Sequence, residues 1–302
     1  MLVSVLVPVY NGEKHVAEAV KSILNQTHTN LEVIIINDGS TDNTLREVSG
    51  IADARIKIVD QSNAGLAAAR NRGLKLATGD VIALLDHDDV WFEHKLERQL
   101  ALLRSDATIG AVGSLLQYLG DDGPIDAVSG EIADNQRERI AAAKLMPFAP
   151  SSMIVTMAVI REIGGFDEAL FPFAGPVDDL DFLSRVATVS RVVTVAEPLG
   201  YYRVHSGASS FTHFFQVQDG TRFLQARRLA LTKGKDLKWE EWLESSRPSF
   251  RVRQKDRARF LFRVAGMHFT NGKKMQFLSA LAGASILDPK YTLQRVLRQR
   301  KK

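Results

Sequence analysis

Cysteine is missing from all 302 positions. Disulfide frameworks, thiolate metal sites and cysteine nucleophiles are thereby excluded, and the chain is compatible with a reducing cytosol. Long apolar runs are missing too: no stretch approaches about 18 uninterrupted apolar residues, so no membrane-spanning helix is expected. Met1 passes almost at once into the apolar run Val3–Val9, with no basic segment ahead of it, so a signal peptide is not expected. No Gly-x-Gly-x-x-Gly follows that run, which argues against a dinucleotide-dependent oxidoreductase. The Gly-rich, basic phosphate loop that a nucleotidyltransferase would need is not there either; Pro8-Val9-Tyr10-Asn11 stands in its place. Internal repeats and low-complexity tracts are also absent.

Of the residues that are present, 45% are hydrophobic and 25% charged, which suits one large globular domain or a domain with an appendage. The net charge of +4 hides an asymmetry. Residues 245–302 carry 15 Lys and Arg against only Asp256 and Asp288, a net of +13, and the rest of the chain is −9. An acidic body with a basic tail is the resulting picture.

Four apolar runs in the first 90 residues each end in a polar cluster. The clusters are Pro8-Val9-Tyr10-Asn11, Asn37-Asp38-Gly39-Ser40-Thr41-Asp42, Asp60-Gln61-Ser62-Asn63 and Asp86-His87-Asp88-Asp89. Helical periodicity fills the intervals, over Glu13–Leu24, around Leu45 and Val48, and over Leu66–Ala77. The alternation predicts an α/β fold, a Rossmann-like, mostly parallel sheet flanked by helices. Ligands of such sheets bind outside the carboxyl ends of the strands, so the four clusters converge on one edge. Three of them bring carboxylates, which would repel an anion unless a hard divalent ion such as Mg²⁺ or Mn²⁺ joined carboxylate to phosphate.

Further on, the pattern predicts a helix over Phe92–Leu103, a strand over Gly110–Leu119 and a turn at Asp121-Asp122-Gly123-Pro124. A helix around Gln136–Leu145, a strand at Ser152–Val155, a helix at Ala158–Ile163 and another at Asp179–Val186 follow. Two strands are expected, Val192–Val195 and Gly200–Val204. Strand signals stop near residue 210, giving a catalytic domain over 1–210 and a basic helical region over 211–302.

Each cluster has a plain reading and a chemical one. Asp86 and Asp88, one residue apart at a strand end, can share one ion, while Asp89 can cap the following helix and His87 takes no role. Asp38 is either an ordinary turn residue or an acceptor for a base or ribose. Arg70, set in a helix of small residues, is a surface cation or a planar donor near a ligand. Of Asp178, Asp179 and Asp181, capping and the helix dipole explain one or two, leaving at least one for chemistry. Arg203 and His205 end the last strand, where they could reach phosphate oxygens or the metal; a structural histidine is the alternative.

Taken in order, these motifs resemble those of the family 2 glycosyltransferases, inverting enzymes of the GT-A fold. The segments that match are Val5–Asn11, Asn37–Asp42, Ala69-Arg70-Asn71, Leu85–Asp89, Gly164–Glu168 and the acidic stretch from Asp178, all within about residues 2–210. The resemblance implies that Pro8, Tyr10, Asp38 and Arg70 hold the nucleotide and that Asp86 contacts the sugar nucleotide. It implies that Asp88, with Asp86 and His205 nearby, binds Mn²⁺ or Mg²⁺, and that Arg203 and His205 approach the diphosphate. Asp179 matches the general base, with Asp178 where the family usually has Glu. The expected partners are a nucleotide-sugar donor and a saccharide or lipid-linked acceptor, in the cytoplasm and peripherally on the inner membrane face. The resemblance does not extend to the tail, where Phe260, Leu261, Val264 and Met267 stand among Arg257, Arg259 and Arg263, and Leu293, Val296 and Leu297 among Arg295, Arg298, Arg300, Lys301 and Lys302. The tail either packs these apolar stripes on the catalytic domain with its charges in water or anchors peripherally on anionic lipid. Nucleic acid is not expected, because no aromatic stacking platform accompanies the charges. A nucleotidyltransferase and a non-catalytic protein binding through its basic tail are the competing readings.

Overall fold

The computed structural model describes residues 1–170, 177–205, 207, 209–246, 248–270 and 273–299. Of the expected tail cations, Arg300, Lys301 and Lys302 and the side chain of Arg298 fall outside the described residues. Two compact units make up the chain. The first comprises residues 1–118, 126–170 and 177–203, and the second comprises residues 119–125 and those from 204 onward.

The first unit opens with β1 (Val3–Val9), α1 (Val16–Leu24), β2 (Leu31–Asp38), α2 (Thr44–Ser49), β3 (Ile56–Gln61), α3 (Leu66–Leu76) and β4 (Val81–Leu84). It continues through β5 (Val90–Trp91), α4 (Lys95–Ser105) and most of β6 (Ile109–Gly120) and β7 (Gly123–Ser129), two paired strands whose connecting end, residues 119–125, belongs to the second unit. Then come α5 (Arg137–Ala141), β8 (Ile154–Thr156), α6 (Met157–Ile163), α7 (Asp178–Val189) and β9 (Arg191–Arg203). The strand order among the described residues is β3-β2-β1-β4-β8-β6-β9-β5, with β7 on β6.

The half of the sheet that builds the acidic edge is parallel: Val5 of β1 faces Val33 of β2 and Ala83 of β4. The other half brings in antiparallel pairs, β4 with β8, β6 with β8 and β5 with β9. The strands are apolar on both faces because both are covered. Val5, Val7, Val33 and Ile35 pack with Val20 of α1 and Leu96 of α4, while Leu6, Ile34, Ile82 and Leu84 share the other cluster with Phe182 of α7. Each such side chain, fully buried, contributes about 1.5–3 kcal/mol relative to exposure.

Three local expectations are corrected. α1 begins at Val16 and not Glu13, because the residues before it are bonded to the neighbouring loop. The start of the helix expected at Phe92 is instead preceded by β5, whose Val90 and Trp91 pair with Tyr201 and Gly200, and α4 starts at Lys95. The two strands expected after residue 191 are one, β9; apolarity lapses over Ala196-Glu197-Pro198 because that stretch is exposed, not because the strand ends.

In the second unit α8 (Ser209–Thr212), α9 (Phe214–Leu231), α10 (Trp239–Ser246), α11 (Phe250–Thr270), α12 (Lys274–Leu287) and α13 (Pro289–Gln299) follow one another. Phe223, Trp239 and Trp242 form one aromatic cluster, and Phe214, Phe215 and Phe260 form another. Asp256 of α11 is fully buried and accepts a hydrogen bond from Arg222 of α9. No helix among the described residues is long and apolar enough to cross a membrane.

Candidate active site

The first two strand-to-helix loops are zipped together. Asn11, held at φ 52°, donates its N–H to Ser40 Oγ (2.9 Å) and accepts from the Thr41 N–H (2.8 Å). The Gly12 N–H donates to Thr44 Oγ1 (2.8 Å), and the Glu13 carboxylate takes the Asn43 N–H (2.9 Å). Ser, Thr and Asp in these clusters thus bond one loop to the other. Gly12 is required by a close approach, since a methyl group there would come 2.5 Å from the His87 ring. His87, expected to do nothing, is the wall against which the first loop packs. At the end of β1, Pro8 is buried and Tyr10 is exposed.

Asp38 is buried at the end of β2. Its carboxylate accepts from Gln61 Nε2 (2.7 Å) and from the N–H groups of Ala64 and Gly65 (both 2.9 Å). It therefore holds the turn that opens α3. Gly39, at φ +73°, lets the chain pass so close to Asn63 that a side chain would collide with its backbone nitrogen.

β4 delivers the acidic quartet. The Asp86 N–H donates to Ser151 Oγ (3.1 Å), and the Asp89 N–H returns to the Asp86 carbonyl (3.1 Å), closing a turn with Asp86 and Asp88 both partly exposed. Asp89 does not cap α4. It is buried, its Oδ1 accepts the Arg203 N–H (2.9 Å), and its Oδ2 has no hydrogen-bond partner among the described residues. Burial, with the charges of Asp88 and Asp86 adding to it, pushes Asp89 well above the usual carboxylate range. Arg203 also donates from Nε to the Asp88 carbonyl (2.8 Å) and from Nη2 to Glu18 (2.6 Å). Behind the quartet, the Trp91 indole donates to the Ser151 carbonyl (2.6 Å), and the Lys95 ammonium lies 3.9 Å above the Trp91 ring. Lys95 is fully buried with Gln99 Oε1 at 2.6 Å, and desolvation holds it well below the usual lysine range.

Arg70 joins this edge to α7. It is only 2% exposed, and it donates from Nη1 to Asp178 (2.7 Å) and from Nη2 to Asp86 (3.0 Å) with its guanidinium 5.3 Å from the Phe166 ring centre. Burial disfavours its charge, but Asp178, Asp86 and Asp179 outweigh that and raise its pKa. A surface cation is thereby ruled out. Asp178 is consumed by this pair, and Asp181 by another with Arg185 (2.8 Å). Asp179 stays partly exposed, and desolvation, reinforced by the Asp178 charge, pushes it up to about 7.

Sequence reasoning missed Asn71. Its side chain accepts the Phe166 N–H (2.7 Å) and donates to the Phe166 carbonyl (2.9 Å), clamping the Gly164-Gly165-Phe166 turn to α3. Its signal was only its place in the Ala69-Arg70-Asn71 match. The structure brings Arg70, Asp86, Asp178 and Asp179 together, with Asp88, Asp89 and Arg203 adjoining and Asp38 holding the next turn along the same edge. His205 belongs to the second unit.

The sequence profile of Glycosyl transferase family 2 matches residues 4–163, more than half of the chain. This chain belongs to glycosyltransferase family 2, a family of enzymes. A glycosyltransferase of Nostoc sp. is 34% identical over 218 residues, 68% of this chain and 65% of that protein. The UDP-Glc:α-D-GlcNAc-diphosphoundecaprenol β-1,3-glucosyltransferase of Escherichia coli is 43% identical over 103 residues, covering 34% of this chain and 41% of its own. The match thus spans just under two thirds of the first relative and well under half of the second. Among solved structures, Staphylococcus aureus TarS 1–349 aligns with TM-score 0.57 at 22% identity, over 97% of this chain and 82% of that chain. A mannosyltransferase of Pyrobaculum calidifontis, in complex with GDP-Man and Mn²⁺, aligns with TM-score 0.57 at 19% identity, over 95% and 87%. At these identities the likeness is one of fold, the GT-A arrangement expected from the motifs.

Proposed function

We propose that this glycosyltransferase moves a sugar from a nucleotide-diphosphate donor to an acceptor hydroxyl, inverting the anomeric carbon, with Asp179 as the general base. The observation that carries the reading is the difference among the three α7 acids. Asp178 and Asp181 are neutralised by arginines, and Asp179 alone combines partial exposure with a pKa near 7. A base poised near the working pH combines the required protonation state with a useful driving force. The acceptor oxygen attacks the anomeric carbon, its proton passes to an Asp179 oxygen, and the bond to the diphosphate breaks with the electron pair leaving on phosphate.

Asp86 and Asp88 are assigned to a divalent ion. The fit is chemical: both donors are hard carboxylate oxygens, one residue apart at the end of β4 and both partly exposed. No group of three or more acids or histidines that could hold a metal occurs among the described residues, so the chain would supply two carboxylates and the donor the rest. When bound, Mn²⁺ or Mg²⁺ would neutralise charge on the departing diphosphate. Arg70 acts through the two aspartates it holds, because burial keeps it from the donor. Pro8, Tyr10 and Asp38 are assigned to the nucleotide end, Tyr10 through its exposed ring and Asp38 through the turn it shapes. Arg203 is assigned to the diphosphate, exchanging Glu18 for phosphate oxygen, and His205 to the diphosphate by resemblance alone and no longer to the ion.

The Escherichia coli relative's name carries a diphosphoundecaprenol acceptor, and this chain is proposed to use a lipid-linked glycan likewise, peripherally on the inner membrane face. A panel of UDP- and GDP-sugars, each with and without Mn²⁺, tests the donor reading by calorimetry and by release of nucleoside diphosphate. One or more should bind more tightly with the ion. Binding of none, or metal-dependent binding unchanged in Asp88→Ala, would refute it.

A further inference from the structure

α12 carries one charged residue, Lys274 at its start, and none in the thirteen that follow. Its uncharged polar residues are Gln276, Ser279 and Ser285, and the rest are apolar or glycine; a helix this apolar is ordinarily covered on every side. One face of α12 is covered: Ala280 and Ala284 are buried, and a side chain at Gly283 would touch Leu261 of α11 at 3.0 Å. The opposite face is open. Met275, Leu278, Ala282 and Ile286 recur at helical spacing, and Met275 is 77%, Leu278 56% and Ile286 82% exposed.

The charge around this stripe has one sign. Lys273 and Lys274 stand at one end and Lys290 and Arg295 beyond the other, all exposed and none paired with an acid among the described residues. From residue 257 to the end the sole acid is Asp288, which is engaged in starting α13, its carboxylate accepting the Tyr291 N–H (3.0 Å). Exposed apolar side chains bracketed by unpaired cations match an anionic bilayer surface, where the stripe enters the acyl boundary and the cations meet phosphate. A second copy would bring the same cations against them, and a nucleic acid would leave the stripe in water.

We infer that α12 is the membrane-inserting element of this protein, with Met275, Leu278 and Ile286 in the lipid and Lys273, Lys274, Lys290 and Arg295 at the head groups. The inference rests on the proposed work at an inner leaflet, and it replaces the stripe expected on α11. Phe260 there stacks near Phe214 and Phe215 instead, at 5.3 and 5.5 Å, and Leu261 lies against Gly283.

The test uses the full chain with vesicles of phosphatidylcholine alone and of phosphatidylcholine with phosphatidylglycerol. Wild type should pellet with the anionic vesicles only. Met275→Ser/Leu278→Ser/Ile286→Ser, which leaves every charge in place, should weaken that binding roughly tenfold or more. Because the chain has no cysteine, Leu278→Cys can carry a single environment-sensitive fluorophore, whose emission should shift to the blue on anionic vesicles. Wild type pelleting on neither lipid would end both the location reading and the inference. Wild type pelleting on anionic vesicles, with the triple variant equally bound or the fluorophore unshifted, would overturn the inference and leave the location reading standing. A wild-type dimer that the triple variant abolishes would also overturn it, assigning the stripe to a second copy.

Discussion

Asp178 and Asp179 stand side by side at the start of α7, and what separates them is the guanidinium of Arg70 at 2.7 Å from Asp178. Replacing Asp179 by Asn keeps size and polarity, so donor affinity should persist while transfer falls roughly 10²–10⁴-fold. The wild-type rate should rise with pH through about 7, because the carboxylate that accepts the proton forms above the raised pKa and is lost below it. The profile of Asp179→Asn should lack that limb, and a limb unchanged in the variant would move the base elsewhere. Arg70→Gln removes the charge that pulls Asp179 downward, so in this variant the same limb should move to higher pH. Asp178→Asn is predicted to act on stability instead. It leaves Arg70 buried with half its compensation, at a cost of up to about 3–5 kcal/mol, measurable by urea unfolding.

α3 shows how two adjacent residues serve two parts of the site, Arg70 reaching β4 and α7, and Asn71 reaching the turn after α6. Asn71→Ala should cost about 1–3 kcal/mol, the penalty for leaving the Phe166 N–H and carbonyl buried without partners. Gly165→Ala should break the same clamp, since its methyl group would lie 2.3 Å from Asn71 Oδ1. The double variant should cost less than the sum, and full additivity in urea unfolding would show the clamp to be unimportant. The long elements were legible because their apolar runs or helical periods extend over many residues. β5 was not, because two residues carry no period and Val90-Trp91 owes its conformation to Tyr201 and Gly200 far along the chain. The acids of the site were legible as a group. Which of them is free to react was given by the resemblance alone, which pointed to Asp179; the residues themselves left it open, since it depends on the arginines placed beside Asp178 and Asp181 by tertiary packing. Asp38 and Asn71 were obscure for a related reason: a side chain that holds a backbone turn has the composition of any turn or helix surface.

At the scale of the chain, the −9 charge of residues 1–244 faces a donor that is itself an anion. Without a divalent ion, donor binding should tighten as monovalent salt rises, because screening relieves like-charge repulsion. With Mn²⁺ present the dependence should flatten, and metal-free binding that weakens with salt would contradict this account. At about 100 times its dissociation constant the donor should stabilise the fold by about 2.7 kcal/mol, readable as a thermal shift. The charge asymmetry was plain from composition. The surface that makes use of it was not, because an apolar stripe on α11 and one on α12 look alike until packing covers the first.

Lys95, sealed beneath the acidic quartet against Trp91, is also a clock for opening of the molecule. Its amine is closed to acylating reagents for as long as α4 and the layer above it stay shut, whereas the exposed lysines react at once. The rate at which mass spectrometry finds Lys95 modified would therefore count the moments when the floor of the site comes apart. Timing that reaction with and without donor would separate breathing of the floor from motion of the loops above it.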